Sequence, residues 1–299
     1  MSDFAFADGT LIAMERGFHW ADPPPPDVGA DHNLLSSRPD SVVYAVFARA
    51  RDGDFSCFDH LIRVMQTHNS AWLWGVGQLL LSHAAPMSLL RSLPAVLQPP
   101  VRGFSDWADV HAQWTLEILG KSNYLWTAPV IFDLYRGIED KLKYSSACFM
   151  LSRLLEPEWG PVFEGPKEIP PQPDEPDWYI PPKEYDFASH LEATKAKIDE
   201  VMASIPAHLC VWGGRVLELE NVAREAIVHI RERREPDITY THRMVLEAYT
   251  GCDLTGFYLD NGRHDTLAAI AMLEQLLETG NLDQYEPGVR YFFGRRVPD

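Results

Sequence analysis

Apolar positions recur along most of the chain with the spacing of an amphipathic α-helix. In 57–65, Phe58, Leu61, Ile62 and Met65 are three or four residues apart, which places them on one helix face. Other segments are apolar nearly all round, as helices buried on several sides are. The segments predicted to be helical are 41–50, 57–65, 70–81, 87–97, 105–119, 124–138, 139–155, 187–201, 215–233, 241–249 and 265–280.

This pattern predicts an all-α fold of about ten helices, because alternating β-branched runs bounded by turns are absent. Two architectures fit it: a HEAT-like α-solenoid, or an irregular helical bundle, since the sequence has no strict internal period. Four segments follow from the breaks in the pattern. They are a loop-rich start (1–38), a helical block (39–155), a proline-rich acidic excursion in the middle (156–186), and a second helical block packed on the first in one continuous domain (187–299).

Prolines and capping residues predict where several helices begin and end. Asp40 or Ser41 is expected to open the first long helix, because both are good N-cap residues. Pro94 is expected to interrupt the helix at 87–97, and Pro236 to stop the one at 215–233.

Negative charge is distributed unevenly along the 299 residues, whose net charge is −17. Segment 40–153 carries ten acidic and ten basic residues, whereas 156–186 alone carries −7. Such a protein repels nucleic acid and anionic membranes and attracts a basic protein partner. Four scattered cysteines without a CxxC pair, no apolar run of membrane-spanning length and no signal peptide predict a cytosolic protein with reduced thiols.

The stretch from Glu168 to Asp186 combines prolines with aromatic and acidic side chains. Its prolines exclude a regular helix or a central strand. A spacer needs no aromatic rings, so the alternative to a stiff linker is a surface that binds a basic partner. The candidate partner-binding residues are Asp174, Glu175, Asp177, Trp178, Tyr179, Glu184 and Tyr185. Trp212 also lies beside a loop, where an indole either anchors an interface or folds back on the helices.

Motifs for catalysis are absent from the sequence: it has no GxSxG, Gly-rich phosphate loop, HExxH or EF-hand loop. The eleven histidines do not cluster at metal-ligand spacing, and His229 and His242 fall on different elements. Cys148 lies on an apolar helix face, which favours an inert buried thiol. We therefore expect no catalytic residues, no metal ligands and no cofactor.

The C-terminal region contains Leu246-Glu247 before Thr250-Gly251, a helix at 268–277, and the run YEPGVRYFFGRR at 285–296. These features resemble the end of a group of helical immunity proteins from bacterial polymorphic-toxin systems. The resemblance covers roughly the last 55 residues and implies a cytosolic, non-catalytic protein that binds and blocks one cognate toxin. The residues themselves predict a structural role, in which Pro287–Gly288 forms a turn and the aromatic run seals the last helices.

Three functions are compatible with the sequence. The first is an immunity protein that neutralises a secreted toxin domain with a basic surface, without contact to nucleic acid or membrane. The second is a helical scaffold or adaptor without a toxin partner. The third is an enzyme whose histidines and carboxylates converge from distant helices, which a structure would reveal as groups in contact.

Overall fold

The computed structural model describes residues 20, 31–68, 71–96, 107–137, 145–157, 160–169, 184–232, 236–259 and 263–299. Within these ranges the protein is all-α, as predicted, and forms an irregular bundle of helices. The helices are α1 Asp31–Leu34, α2 Pro39–Asp52, α3 Phe58–Thr67, α4 Ala71–Ala84, α5 Met87–Val96, α6 Trp107–Lys121, α7 Thr127–Gly137, α8 Ser145–Leu155, α9 Pro161–Glu164, α10 Phe187–Ser204, α11 Leu219–Arg231, α12 Pro236–Thr250 and α13 Thr266–Thr279. None of these helices is long and apolar enough to cross a membrane.

Short antiparallel strand pairs connect some of the helices. The strands are β1 Glu168–Ile169, β2 Glu184–Tyr185, β3 Val211–Trp212, β4 Arg215–Val216, β5 Tyr291–Phe292 and β6 Arg295–Arg296, and a 3₁₀-helix covers Leu282–Gln284. Each strand pairs only with its neighbour in number among the described residues: β1 with β2, β3 with β4, and β5 with β6. The sequence did not predict them, because two residues are too few to show an alternating pattern.

Proline positions account for the main differences between predicted and observed helix ends. Helix α2 begins at Pro39, one residue before the predicted cap, and α5 continues two residues beyond Pro94. The prediction that Pro236 stops the preceding helix needs correction, because α11 ends at Arg231 and Pro236 is the first residue of α12. A proline fits the first turn of a helix, where its missing N–H has no intrahelical acceptor.

Two hydrophobic clusters form the core, and α6 contributes to both. Trp114 and Ile118 of α6 belong to a large cluster that joins α2–α5 to α11–α13 and β5. Leu116 and Leu119 belong to a smaller cluster with α7–α10 and β3. Each cluster takes residues from both sides of segment 170–183, so the two helical blocks share their core.

The C-terminal strands pack on the first helices of the chain. The ring of Phe292 lies 5.2 Å from that of Trp20 and 6.1 Å from that of Phe47. The backbone N–H of Met87 donates to the carbonyl of Pro298 at 3.1 Å. In an α-solenoid each repeat contacts only its neighbours in sequence. The return of the C-terminus to the start therefore favours the irregular bundle over the solenoid.

Two β-turns close the C-terminal ends of two helices in the same way. In the β3–β4 turn, the N–H groups of Gly213 and Gly214 donate to the carbonyls of Arg153 and Leu154 at 2.8 and 2.9 Å. In the β5–β6 turn, Phe293 and Gly294 donate to Ala248 and Tyr249 at 2.7 and 2.8 Å. The last carbonyls of a helix have no intrahelical donor, so each turn supplies the missing hydrogen bonds of α8 and of α12.

The side chain of His83 is buried where α4 meets the C-terminal strands. Its Nδ1 lies 3.1 Å from the carbonyl oxygen of Leu79, and Arg290 Nε donates to the carbonyl of His83 at 3.1 Å. Burial lowers the pKa of His83 to about 3, against the opposing hydrogen bond to Leu79 and with help from the charge of Arg290. The imidazole is thus neutral in the folded protein at any pH near 7.

Acid is expected to destabilise the protein through His83, and His83→Asn should remove this effect. The unfolded chain binds the proton with the ordinary pKa of 6.5 and the folded protein with a pKa of about 3. The contribution of neutral His83 to the free energy of unfolding is therefore fully present above pH 6.5. It decreases as the pH falls, by about 3 kcal/mol between pH 7 and pH 4. Urea unfolding of both proteins at several pH values measures the difference between their free energies of unfolding. Parallel pH profiles for the two proteins would contradict the assignment.

Candidate functional site

Strands β1 and β2 join the two ends of the stretch from Glu168 to Asp186, which is the second part of the proline-rich excursion. Glu168 lies opposite Tyr185 and Ile169 opposite Glu184 in this antiparallel pair. The backbone N–H of Asp186 then donates to the carbonyl of Lys167 at 2.9 Å. The described residues on the two sides of segment 170–183 are therefore held next to each other.

Helix α10 begins immediately after this strand pair and fixes it to the body. Asp186 is the N-cap of α10, and its Oδ1 accepts a hydrogen bond from the N–H of Ser189 at 3.0 Å. The bonds from Ser189 hold the pKa of Asp186 below its usual value, so the cap is charged at neutral pH. The half-buried ring of Tyr185 lies 6.2 Å from that of Phe187, and Ile198 anchors α10 in the smaller core cluster.

The predicted partner-binding residues are only partly within the described structure. Glu184 and Tyr185 form β2, at the base of the excursion. The other five candidates, Asp174, Glu175, Asp177, Trp178 and Tyr179, lie outside the described residues. Their role in binding stays a prediction.

A cluster that the sequence analysis did not predict lies between α11 and α12. Oε1 of Glu225 is 3.9 Å from Nε2 of His229 and 3.8 Å from Nε2 of His242. The two imidazole rings stand edge to face with their centroids 5.1 Å apart. One potential metal-ligand atom from each residue lies within 4.8 Å of those of the other two. We call these three residues the Glu–His–His cluster.

Trp212 of β3 holds the Glu–His–His cluster in place. Its indole Nε1 donates to Oε2 of Glu225 at 3.0 Å, and its ring lies 4.8 Å from that of His242. The indole is buried, so it folds back on the helices and is not an exposed interface anchor. Arg153 of α8 lies 5.5 Å from the Trp212 ring. Strand β3 thus connects the cluster to the end of α8.

Burial and charge act in opposite directions on Glu225. Desolvation by itself would raise the pKa of this carboxyl group, but His242, His229 and the hydrogen bond from Trp212 together outweigh it, so the pKa lies below its usual value. Both histidines are buried, while the side chain of Glu225 is 29% exposed. The cluster therefore presents an ionised carboxylate at the edge of a buried pair of imidazoles.

The sequence contained a weak signal for this cluster. Glu225 and His229 are four residues apart on a predicted helix, which places them on one face. His242 belongs to the next helix, and nothing local shows that its side chain meets that face. The expectation that the histidines do not cluster was based on spacing along the chain, and the packing of α11 on α12 brings these two together.

A second contact between reactive residue types involves Cys148 of α8. Its Sγ lies 3.6 Å from Nε2 of His190, and the ring of Tyr135 lies 6.1 Å from the imidazole. Burial raises the pKa of the Cys148 thiol and lowers the pKa of His190. A nucleophilic cysteine requires the opposite, a thiolate stabilised at neutral pH. The predicted burial of this thiol is confirmed, and its lack of reactivity stays a prediction.

The C-terminal motif has the structural role predicted from its residues. Pro287 and Gly288 form a turn, and Phe292 is fully buried in the large core cluster. Glu247 is also fully buried, beside Arg243 on α12. Gly288, Phe292 and Glu247 are therefore buried parts of the bundle, whereas Pro287 is exposed.

Comparisons with protein families, curated proteins and solved structures give no match for this chain. The resemblance of the C-terminal region to helical immunity proteins therefore remains a prediction. The features of the chain itself that bear on function are the strand pair β1–β2 in the proline-rich excursion and the Glu–His–His cluster.

Proposed function

We propose that the protein is a cytosolic immunity protein, which binds and neutralises a cognate secreted bacterial toxin domain by protein–protein contact. The observation that carries the proposal is the β1–β2 pair, which ties both ends of the acidic, aromatic excursion to the N-terminus of α10. Recognition residues are often placed on loops that a rigid scaffold positions. The protein would then inhibit the toxin domain by binding to it, without catalysing a reaction.

Described residues around the strand pair carry part of the negative charge of the excursion, and Glu192 of α10 adds to it. Glu164 of α9, Glu168 of β1 and Glu192 of α10 are exposed. The capping residue Asp186 is also ionised at neutral pH. A toxin domain with a basic surface would be steered to this region over a distance of about one Debye length, ~8–10 Å.

Within the excursion, the side chains divide into two roles. Trp178 and Tyr179 would bury most of the contact area, since aromatic residues dominate binding energy at protein interfaces. Asp174, Glu175 and Asp177 would pair with lysines or arginines of the toxin and increase the association rate. The bundle itself would hold the two ends of the segment and reduce the entropy lost on binding.

The proposal is tested by co-expressing the protein in a bacterial host with the toxin domain encoded by the neighbouring gene. Cells are expected to survive with the wild-type protein. They should die with a variant that combines D174N, E175Q, D177N, W178A and Y179A. For the purified proteins, we expect this variant to bind an inactivated toxin domain about 100-fold more weakly or worse, mainly through faster dissociation.

A control variant removes the same number of negative charges elsewhere. E220Q, E274Q and E278Q change exposed residues on α11 and α13 and should leave protection intact. If both variants protect as well as the wild-type protein, the excursion is not the binding surface. If the wild-type protein neither protects cells nor binds the toxin domain, the immunity function is wrong and a scaffold without a toxin partner is favoured.

A further inference from the structure

The geometry of the Glu–His–His cluster points to a binding site for one divalent transition-metal ion, and we propose that the ion is Zn²⁺. Its ligands would be Glu225 Oε1, His229 Nε2 and His242 Nε2. The inference goes beyond the proposed immunity function and does not depend on it. It starts from the fact that three donor atoms of the kinds that bind zinc lie within 4.8 Å of one another.

The distances fit a metal ion after a small contraction. Zinc binds imidazole nitrogen and carboxylate oxygen at about 2.0–2.2 Å, so two ligands of a tetrahedral site are about 3.4 Å apart. The distances from Glu225 Oε1 to the two Nε2 atoms are 3.9 and 3.8 Å. For these two pairs, a shift of roughly half an ångström from rotated side-chain torsions reaches the ligand spacing. The donor atoms of the two histidines, which lie within 4.8 Å of each other, would also have to approach.

The ligand set favours a later first-row transition metal such as zinc over Mg²⁺ and Ca²⁺. Mg²⁺ and Ca²⁺ prefer oxygen ligands, whereas two imidazoles with one carboxylate suit the later first-row transition metals. Zn²⁺ has no geometric preference from d-electrons and tolerates an approximate tetrahedron. The carboxylate of Glu225 supplies one negative charge to the cation, and the adjacent Arg243 is paired with Glu247.

Trp212 supplies the orientation that metal ligands require. The indole N–H donates to Oε2 of Glu225 at 3.0 Å, which leaves Oε1 directed to the histidines. Hydrogen bonds to the far atom of a ligand fix its rotamer, and their loss typically reduces metal affinity about 10–100-fold. Trp212 is thus a positioning residue for the site and not itself a ligand.

The fourth position of the site would open to solvent. The histidines are buried, but the side chain of Glu225 is 29% exposed, so water or a donor atom from another molecule can reach the ion from that side. Three protein ligands with one open position are the arrangement of reactive zinc sites, whereas purely structural sites are closed by four. Whether the ion is reactive or structural, it would link α11 to α12 and, through Trp212, to the β3–β4 turn.

Titration of the metal-free, full-length protein with Zn²⁺ by isothermal calorimetry tests the site. One ion per chain is expected, and Zn²⁺ at about 100 times its Kd should raise the Tm by about 5 °C. E225Q and H242Q should each weaken binding about 100-fold or more, and W212F about 10-fold. Co²⁺ in place of Zn²⁺ should give visible d–d absorption with the wild-type protein that E225Q abolishes.

H208Q is the matched control, because His208 is exposed and lies outside the cluster. It should bind Zn²⁺ with wild-type affinity. Binding that survives both E225Q and H242Q, or that H208Q abolishes, would show adventitious binding to other histidines and overturn the proposal, as would an absence of binding. E225Q changes a partly exposed residue, so it remains a valid test even if H242Q does not fold.

Discussion

Replacing Glu247 with glutamine is expected to destabilise the protein by about 3–5 kcal/mol. Glu247 and Arg243 lie one helical turn apart on α12, with Oε2 and Nη1 separated by 3.6 Å and both side chains 0% exposed. The backbone N–H of Trp20 also lies 3.4 Å from Oε2. Glutamine keeps the size of the side chain but removes the negative charge that faces the buried guanidinium of Arg243.

The control for this prediction is an exposed pair with the same spacing. Glu220 and Arg224 are also four residues apart, at 2.6 Å, with more than half of each side chain exposed. E220Q should change the free energy of unfolding by about 0.5 kcal/mol or less, because water screens the pair. Urea unfolding of both variants and the wild-type protein measures the difference. Equal effects of the two substitutions would show that burial does not determine the energy of the Arg243–Glu247 pair.

Gly214→Ala is the second change with a large expected effect, about 3 kcal/mol of destabilisation or more. Gly214 has φ +71°, a conformation that alanine adopts only with strain, and an added Cβ would lie 2.5 Å from the backbone oxygen of Leu155. Relief of that clash would pull the turn away from α8 and break the hydrogen bond to Leu154. Thermal unfolding should show a Tm lower by about 6 °C or more.

Gly137→Ala is the matched control, because it makes the same chemical change in open space. No described atom lies within 4 Å of a Cβ at Gly137, the last residue of α7. Alanine is a better helix former, so G137A should be neutral or stabilising by up to about 1 kcal/mol. If G214A unfolds at the wild-type temperature, the turn does not hold α8 as described.

The helices could be predicted from the sequence because their signal is local. Apolar residues three and four apart, as in Phe58–Met65, identify a buried face before any partner is known. The burial of Cys148 could be predicted for the same reason, from the apolar face on which it lies. The boundary at Pro236 was predicted wrongly, because a proline is compatible with either the end of one helix or the beginning of the next.

The two candidate sites could be predicted from the sequence to different extents. The acidic, aromatic excursion is a feature of composition, and the sequence alone identifies it. The strands that join its ends could not be predicted, because the pairing of Glu168 with Tyr185 is made across the excursion itself. The Glu–His–His cluster was missed, since two of its members are four residues apart but the third comes from another helix.

The sequence by itself determined the all-α class, the course of the chain from helix to helix and the position of the excess negative charge. The tertiary structure decided the irregular bundle over the solenoid, the burial of Glu247 and Arg243, and the meeting of Glu225 with His242. The physical reason is the range of the interactions. Helix formation depends on residues within one or two turns, whereas ion pairs, helix caps and ligand clusters depend on which helices pack together, and that is a property of the whole core.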